Sequence, residues 1–295
     1  MGFLTILVTV FFYLHWVGDN PVQKAIPFDR YQTWFIGRNI ATTFRFLLCV
    51  GTPCIVVFWL ALEIQHWALG LFWLLLSLAV VIYSIELHDT SSVFDNQISW
   101  LQSMGGEHAI ADAVVSADYD DMPVETDSEN MLANVVQRHE DFVVTTIYDM
   151  FQSIIPVLFW FLLIGPAGAL LYAMSTKYLD CLDLDDPEVD LVEQVVYWME
   201  WLPMRISGLL LAFLGHFGRG FEYWLEIVLD TRTSNAEHLA ALANIAIDES
   251  DTATSDDIEG FVKSAEHNLN ELQALMERTL YGWVGLAALA TIIGL

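Results

Sequence analysis

Positive charge is scarce in this chain. Only 11 lysines and arginines stand against 38 aspartates and glutamates, for a formal net charge of −27. A surface of that sign repels phosphate, which excludes nucleic acid as a partner. Charge of either sign is also thin. It covers 17% of 295 residues, against about a quarter in an ordinary soluble domain. Cysteine is nearly absent: Cys49, Cys54 and Cys181 form no CxxC, and no His/Cys spacing suits zinc. They read as small packed hydrophobes rather than as a disulfide or metal site. Also missing are a P-loop, a GxSxG, an HExxH and a glycine-rich dinucleotide turn, so the common catalytic constellations are not available. No catalytic residue, metal site or cofactor is expected. There is no internal repeat and no strand-like alternation, which leaves an all-α fold.

What is present is segregated. Hydrophobic residues make up 55% of the chain, and mean hydropathy is +0.47. High acidity and high hydropathy coexist because long apolar blocks alternate with acidic ones, the pattern of a membrane protein with acidic extramembrane parts. Most of the carboxylates read as a solvated surface of the kind that keeps a protein soluble at high salt. Phe44–Leu62, interrupted by Gly51 and Pro53, and Trp67–Leu87 are apolar spans joined by a short polar turn. Ile154–Met174 is a third, with Gly165, Pro166 and Gly168 in its middle. Trp201–Phe217 and Leu280–Leu295 are shorter. Met1–Val17 lacks a basic n-region and an A-x-A site, and reads as a retained short helix. The expectation is a polytopic helical protein with about four to six membrane-embedded helices, lying in the lipid bilayer as a single domain over 1–295.

Two polar stretches are assigned outside the bilayer. Residues 88–151 form an acidic, partly disordered loop flanked by helical patches. Residues 218–279 form amphipathic helices, with Leu239, Leu242 and Ile245 on one stripe and Phe261, Ala265, Leu269, Leu272 and Met276 on another. Lys24, Arg30, Arg38 and Arg45 on one side, and Arg219, Arg232, Lys263 and Arg278 on the other, place both basic regions in the cytoplasm by the positive-inside rule. The loop carrying Arg138 is then cytoplasmic too.

Two apolar stretches are distinctive: "PVLFWFLLIGPAGALLY", Pro156 to Tyr172, and "WMEWLPMRISGLLLAFLGHF", Trp198 to Phe217. Gly165, Pro166 and Gly168 suit the close approach of another helix or the lining of a ligand path. Pro203 suits the first turn of a helix. Arg205 follows at once, and an intramembrane cation costs a few kcal/mol unless it snorkels, pairs or lines a polar cavity. Glu200 and Asp149 are its candidate partners. Glu200 stands five residues away, a poor same-face spacing. His216 reads as interfacial or as a ligand contact. Arg205, Glu200, Asp149, His216, Gly165 and Gly168 are the candidate ligand-binding set.

In this order the two stretches resemble the AmpE family of bacterial inner-membrane proteins, linked to β-lactamase regulation. The resemblance is strongest from about Phe142 to Asp248 and includes "LDTRTSN". They resemble more distantly the CobD/CbiB cobinamide-phosphate synthases, which share the LFW…GPxGALLY and LPxR blocks. The synthases carry an E-x-x-x-E-N-x-x-D pattern before LFW. It falls here on Val144, Tyr148, Asp149 and Gln152, where most of the carboxylates are absent, so the AmpE branch fits better. The resemblance implies a multi-pass, non-enzymatic component of the cytoplasmic (inner) membrane that signals cell-wall turnover. It would work with a cytoplasmic AmpD-like amidase that recycles anhydromuropeptides, and with a muropeptide as ligand. A CobD/CbiB-type amide synthase and a permease for an anionic muropeptide are the alternatives.

Overall fold

In a computed structural model, the structure describes residues 2–16, 20, 23, 28–36, 42–65, 70–87, 90–105, 128–183, 186–247 and 258–293. All regular elements among them are helices: α1 (Gly2–His15), α2 (Phe28–Ile36), α3 (Thr42–Ile64), α4 (Leu71–Ser84), α5 (Thr90–Gly105), α6 (Ser128–Ile164), α7 (Pro166–Asp180), α8 (Val189–Leu214), α9 (Phe217–Ile227), α10 (Asn235–Ile247) and α11 (Ile258–Ile293). Among the described residues, two stretches are long and apolar enough to cross a membrane, Phe44–Ile64 and Leu132–Ile164. The apolar helices α1 and α4 have 14 residues each, fewer than the roughly 20 that a bilayer core requires. The acidic stretch 116–127 and the stretch 248–257 lie outside the described residues.

Several segment boundaries differ from the sequence reading, each for a local reason. Gly51 and Pro53 do not interrupt α3, which continues through both. The apolar block Ile154–Met174 is two helices, not one. α6 ends at Ile164 and α7 begins at Pro166, with Gly165 between them at φ 81° and ψ −158°. That backbone region is open essentially to glycine alone. Pro203 does not start a helix: α8 begins 14 residues earlier, at Val189, and runs through it. Leu280–Leu295 is not separate, because α11 continues without a break from Ile258 to Ile293.

The chain divides into two compact units. The first comprises Met1–His88, Met150–Ser207 and Leu280–Leu295. Its central element is α7, which packs against both α3 and α4. Only 15 residues long, α7 buries ten of them. Phe46, Cys49, Val50 and Cys54 of α3 meet Leu170, Met174 and Tyr178 of α7 and Val192 and Val196 of α8 in one apolar cluster. The opposite face of α3 is bare, with Ile55 70% and Trp59 65% exposed. α1 packs on α4. The last carbonyls of α4, which have no partner within the helix, receive side-chain amides: Asn20 Nδ2 donates to Ile82 O and Ile85 O, and Gln23 Nε2 to Tyr83 O and Ile85 O.

The second unit comprises Asp89–Asp149 and Gly208–Thr279. The stripe read on its last helix is its core: Phe261, Ala265, Leu269, Leu272 and Met276 are all buried. Phe94 of α5 meets Phe142 of α6 edge-on, and His139 of α6 meets Phe261 of α11 in the same way. Glycines let three segments close together. A Cβ on Gly220 would stand 3.1 Å from Ala212 Cα, one on Gly208 would press on Leu242 and Trp224, and one on Gly215 would fall on Ala246. α9 therefore folds back along the end of α8, and α10 lies across both. "LDTRTSN" is the α9–α10 turn. Asp230 accepts from the Arg232 backbone N–H and the Thr233 hydroxyl, which hold its carboxyl below the usual carboxylate range. Ser234 Oγ accepts from Glu237 N at the start of α10, as an N-cap does.

The glycines can be told apart by substitution. Gly165→Ala should cost about 1–3 kcal/mol, because alanine is strained at that φ and ψ. Gly168→Ala should cost a similar amount by overpacking, at about 1–3 kcal/mol, since its Cβ would fall on the carbonyl oxygen of Trp160. Gly51, with nothing near its Cβ position, should tolerate alanine and gain up to about 1 kcal/mol in helix propensity. Thermal unfolding in detergent micelles measures all three; a loss at Gly51 as large as at Gly168 would refute the assignment.

Candidate functional site

The two sequence signatures meet in the first unit, and the meeting point is built from a defect. Proline at 203 has no N–H, so inside α8 the carbonyl four residues earlier, that of Met199, loses its helical donor. Met199 is buried, where an unsatisfied carbonyl costs about 1–3 kcal/mol. The missing donor comes from another helix: Trp160 Nε1 of α6 donates to Met199 O at 3.0 Å. The backbone of the same tryptophan faces α7. Its carbonyl oxygen lies where a Cβ on Gly168 would fall. Trp160 thus fixes α6 against α8 through its ring and against α7 through its main chain.

Next to Met199 stands Glu200, with no exposed surface. Its Oε1 accepts from Gln152 Nε2 of α6 at 2.7 Å and from Tyr172 OH of α7 at 2.8 Å. The same three helices are therefore joined a second time, by polar contacts one residue along from the first. A carboxylate buried this deeply needs such donors. An acid at position 152 would set two carboxyl groups against each other; the amide of Gln152 supplies a donor instead.

Arg205, 3% exposed, lies five residues further along α8. That places it about 140° around the axis from Glu200. Its Nη1 donates to Met204 Sδ, and its guanidinium lies 5.3 Å from the centroid of Trp201, at cation–π range. The Nε1 of Trp201 is buried and has no hydrogen-bond acceptor. A buried cation and an orphaned indole donor together suit an anionic group. Nearby, Trp283 Nε1 donates to Ser207 Oγ at 3.0 Å and ties α11 to α8.

Of the remaining sequence candidates, Gly165 and Gly168 shape the α6–α7 junction just described. Asp149 and His216 belong to the second unit, and both are exposed. The His216 ring nitrogen Nδ1 lies 3.1 Å from the carbonyl of Ala246. Among the described residues, no group of three or more His, Cys, Asp and Glu side chains is placed to hold a metal ion.

A second polar cluster was not anticipated from the sequence. Glu188, 1% exposed, accepts from Arg45 Nε at 2.8 Å and from Tyr178 OH at 2.5 Å. Asp186 stands 4.0 Å from Arg45. Burial, then the hydrogen bond to Glu188, drives the Tyr178 hydroxyl well above its ordinary pKa. The phenol keeps its proton and acts as a donor. Arg45 had counted only as one of the positive-inside residues.

The freed carbonyl gives a double-mutant test. Trp160→Phe should destabilise the protein by about 1–3 kcal/mol through an unsatisfied Met199 carbonyl. Pro203→Ala restores an N–H at 203, so in that background the same Trp160→Phe change should cost at least about 1 kcal/mol less. Additivity within about 0.5 kcal/mol in denaturant unfolding would show that the two residues do not communicate.

Comparison with known proteins agrees with the region these helices occupy. Residues 7–264 match the family described as "Regulatory signalling modulator protein AmpE". No curated protein matches the chain, and no solved structure does. The match covers both signatures, the junction they form and most of each unit, and the chain belongs to the AmpE family.

Proposed function

We propose that this chain is a multi-pass regulatory protein of the bacterial cytoplasmic (inner) membrane that reports on cell-wall turnover, with a muropeptide as ligand and a cytoplasmic AmpD-like amidase as partner. The family description, a regulatory signalling modulator, supports the regulatory part. The observation that carries the ligand is Arg205. An arginine 3% exposed within an otherwise apolar helix segment marks a functional site by default. Beside it, the indole N–H of Trp201 lacks an acceptor. An anionic group of the ligand would be received by these two donors, with Glu200 held in place by Gln152 and Tyr172. Gly165 and Gly168 would let it approach the backbone. Asp149 and His216 enter this reading as exposed candidate contacts. In this reading residues 88–151 and 218–279 are cytoplasmic.

The permease alternative draws on one observation, the break at Gly165. α7 begins there with Pro166, Ala167 and Gly168 buried, as half-helices do at transporter binding sites. The synthase alternative finds less support, because Gln152 rather than an acid faces Glu200.

Arg205→Ala should leave membrane insertion and abundance nearly intact while abolishing the induction of a β-lactamase reporter. Arg205→Lys should restore it only in part, since an ammonium cannot make a bidentate contact. Full rescue by lysine, with altered topology in the alanine variant, would make Arg205 a topology anchor instead. Orientation has its own measurement. A cysteine at Glu140, exposed on α6, in a Cys181→Ser background should resist an impermeant maleimide in intact spheroplasts. Labelling without permeabilisation would reverse the assignment.

A further inference from the structure

In the first unit, the two legs of the α6–α7 hairpin begin and end among the same polar contacts. Ser153, just inside the unit on α6, accepts the Glu86 backbone N–H at its carbonyl oxygen, and its hydroxyl lies 2.9 Å from Tyr13 OH. Tyr178, near the end of α7, donates to Glu188 and accepts at its carbonyl from Gln32. Glu188 in turn accepts from Arg45 at the start of α3. Lys177 lies 5.1 Å from the ring centroid of Tyr83 at the end of α4. The start of α3, the end of α4, the entry of α6 and the exit of α7 therefore share one polar end of the unit.

Measured from that end, the helices differ in reach. At 1.5 Å per residue α3 runs about 28 Å from Arg45 to Ile64, close to the thickness of a hydrocarbon core. α6 runs only about 17 Å from Ser153 to Ile164, and α7 about 18 Å back from Pro166 to Tyr178. α6 has no charge after Asp149 and α7 none before Lys177, so the apolar part of each leg is also shorter than the roughly 20 residues of a crossing. The turns differ in kind as well. The connection after α3 brings Glu63, Gln65 and His66, whereas Leu162 to Leu171 has no polar side chain. The backbone of this second turn largely serves itself. Gly165 N–H donates to Phe161 O, the Gly168 and Ala169 N–H groups donate to Gly165 O, and proline at 166 has no N–H to satisfy. Pro166, Ala167 and Gly168 are buried. Hydrocarbon tolerates a turn only where its polar groups are paired or covered by protein.

We infer that α6 and α7 form a re-entrant hairpin, which enters the bilayer from the polar end, turns at Gly165 inside the hydrocarbon and returns to the same side. The α7–α8 connection, with Cys181, Asp186 and Glu188, then lies on the membrane face that holds the start of α3, the cytoplasmic face in the reading above. The inference rests on that membrane reading and adds a topology it leaves open. A single crossing from Ile154 to Met174 would send Ser153 and Tyr178 to opposite faces, against the contacts that join them at one end. A hairpin crossing in full would need its tip about 10 Å farther from that end.

The test uses the full-length chain, in which Cys49 and Cys54 are buried and Cys181 is exposed. Native Cys181, and Glu63→Cys in a Cys181→Ser background, are offered an impermeant maleimide in spheroplasts and in inverted vesicles. Cys181 should label several-fold faster in inverted vesicles, and position 63 several-fold faster in spheroplasts. Exchange of both sides together would uphold the hairpin while reversing the orientation. Labelling of both positions from the same side would overturn the hairpin. Depth is read at the tip, where Leu163 is 55% and Ile164 43% exposed. Leu163→Cys, or Ile164→Cys should the first fail to fold, carries bimane in reconstituted vesicles with Cys181→Ser. Lipids with a mid-chain nitroxide should quench it several-fold more than lipids with a headgroup nitroxide. Stronger quenching from the headgroup would put the tip at a membrane face and overturn the inference. A chain that alkaline washing strips from the membrane overturns the membrane reading as well; the other failures leave that reading standing.

Discussion

A single carbonyl group organises the first unit. Proline at 203 denies Met199 its helical hydrogen bond, and the only economical remedy is a donor from a neighbouring helix. Trp160 provides it. Because the ring of Trp160 must reach α8 while its backbone lies against Gly168 of α7, one residue sets the spacing of three helices. The co-occurrence of the LFW…GPAG and LPxR blocks then has a physical basis. The tryptophan belongs to the first block, the proline to the second, and each has its value only when the other is present. Glu200 repeats the arrangement one residue along, with Gln152 and Tyr172 drawn from the same two partner helices.

The chain places its buried charge with similar care. Glu200 and Glu188 are both enclosed, and each accepts from a tyrosine on α7, Tyr172 and Tyr178 respectively. Glu188 also accepts from Arg45, and Glu200 also accepts from the Gln152 amide. A carboxylate buried this deeply is held only where such donors meet it.

Much of this fold is legible in the sequence, and the illegible part has definite causes. The helical class and the amphipathic stripe of α11 follow from periodicity and composition, while the GPAG and LPxR blocks stand out through the resemblance to AmpE. The core positions Phe261, Ala265, Leu269, Leu272 and Met276 are where the spacing puts them. Helix ends were misread wherever one residue has two possible roles. Proline at 203 serves equally well in a first turn or at an interior position whose freed carbonyl finds a donor, and the donor is 43 residues away in the chain, at Trp160. Gly165 looks like Gly168 in sequence, yet one is required by its backbone angles and the other by lack of space. The Arg45–Glu188 contact joins residues 143 apart, and no local pattern signals it. Of the candidate site, the burial of Arg205 and Glu200 was legible because charge in an apolar segment is conspicuous. Gln152 and Tyr172 were not, being ordinary residues until Glu200 is beside them.

The shortness of α7 bears on how the protein is made. Fifteen residues, ten of them buried in protein, with two tyrosines directed to glutamates that come later in the chain, do not form a segment that settles in a bilayer by itself. When α7 leaves the ribosome, neither Glu188 nor Glu200 has been synthesised, and Gly165 has already turned the chain back on α6. The hairpin of α6 and α7 has to wait, incompletely satisfied, until α8 arrives. Assembly of this region is therefore a concerted event among three helices rather than a sequence of independent ones, and the interval before α8 emerges is the time at which the nascent chain is least complete.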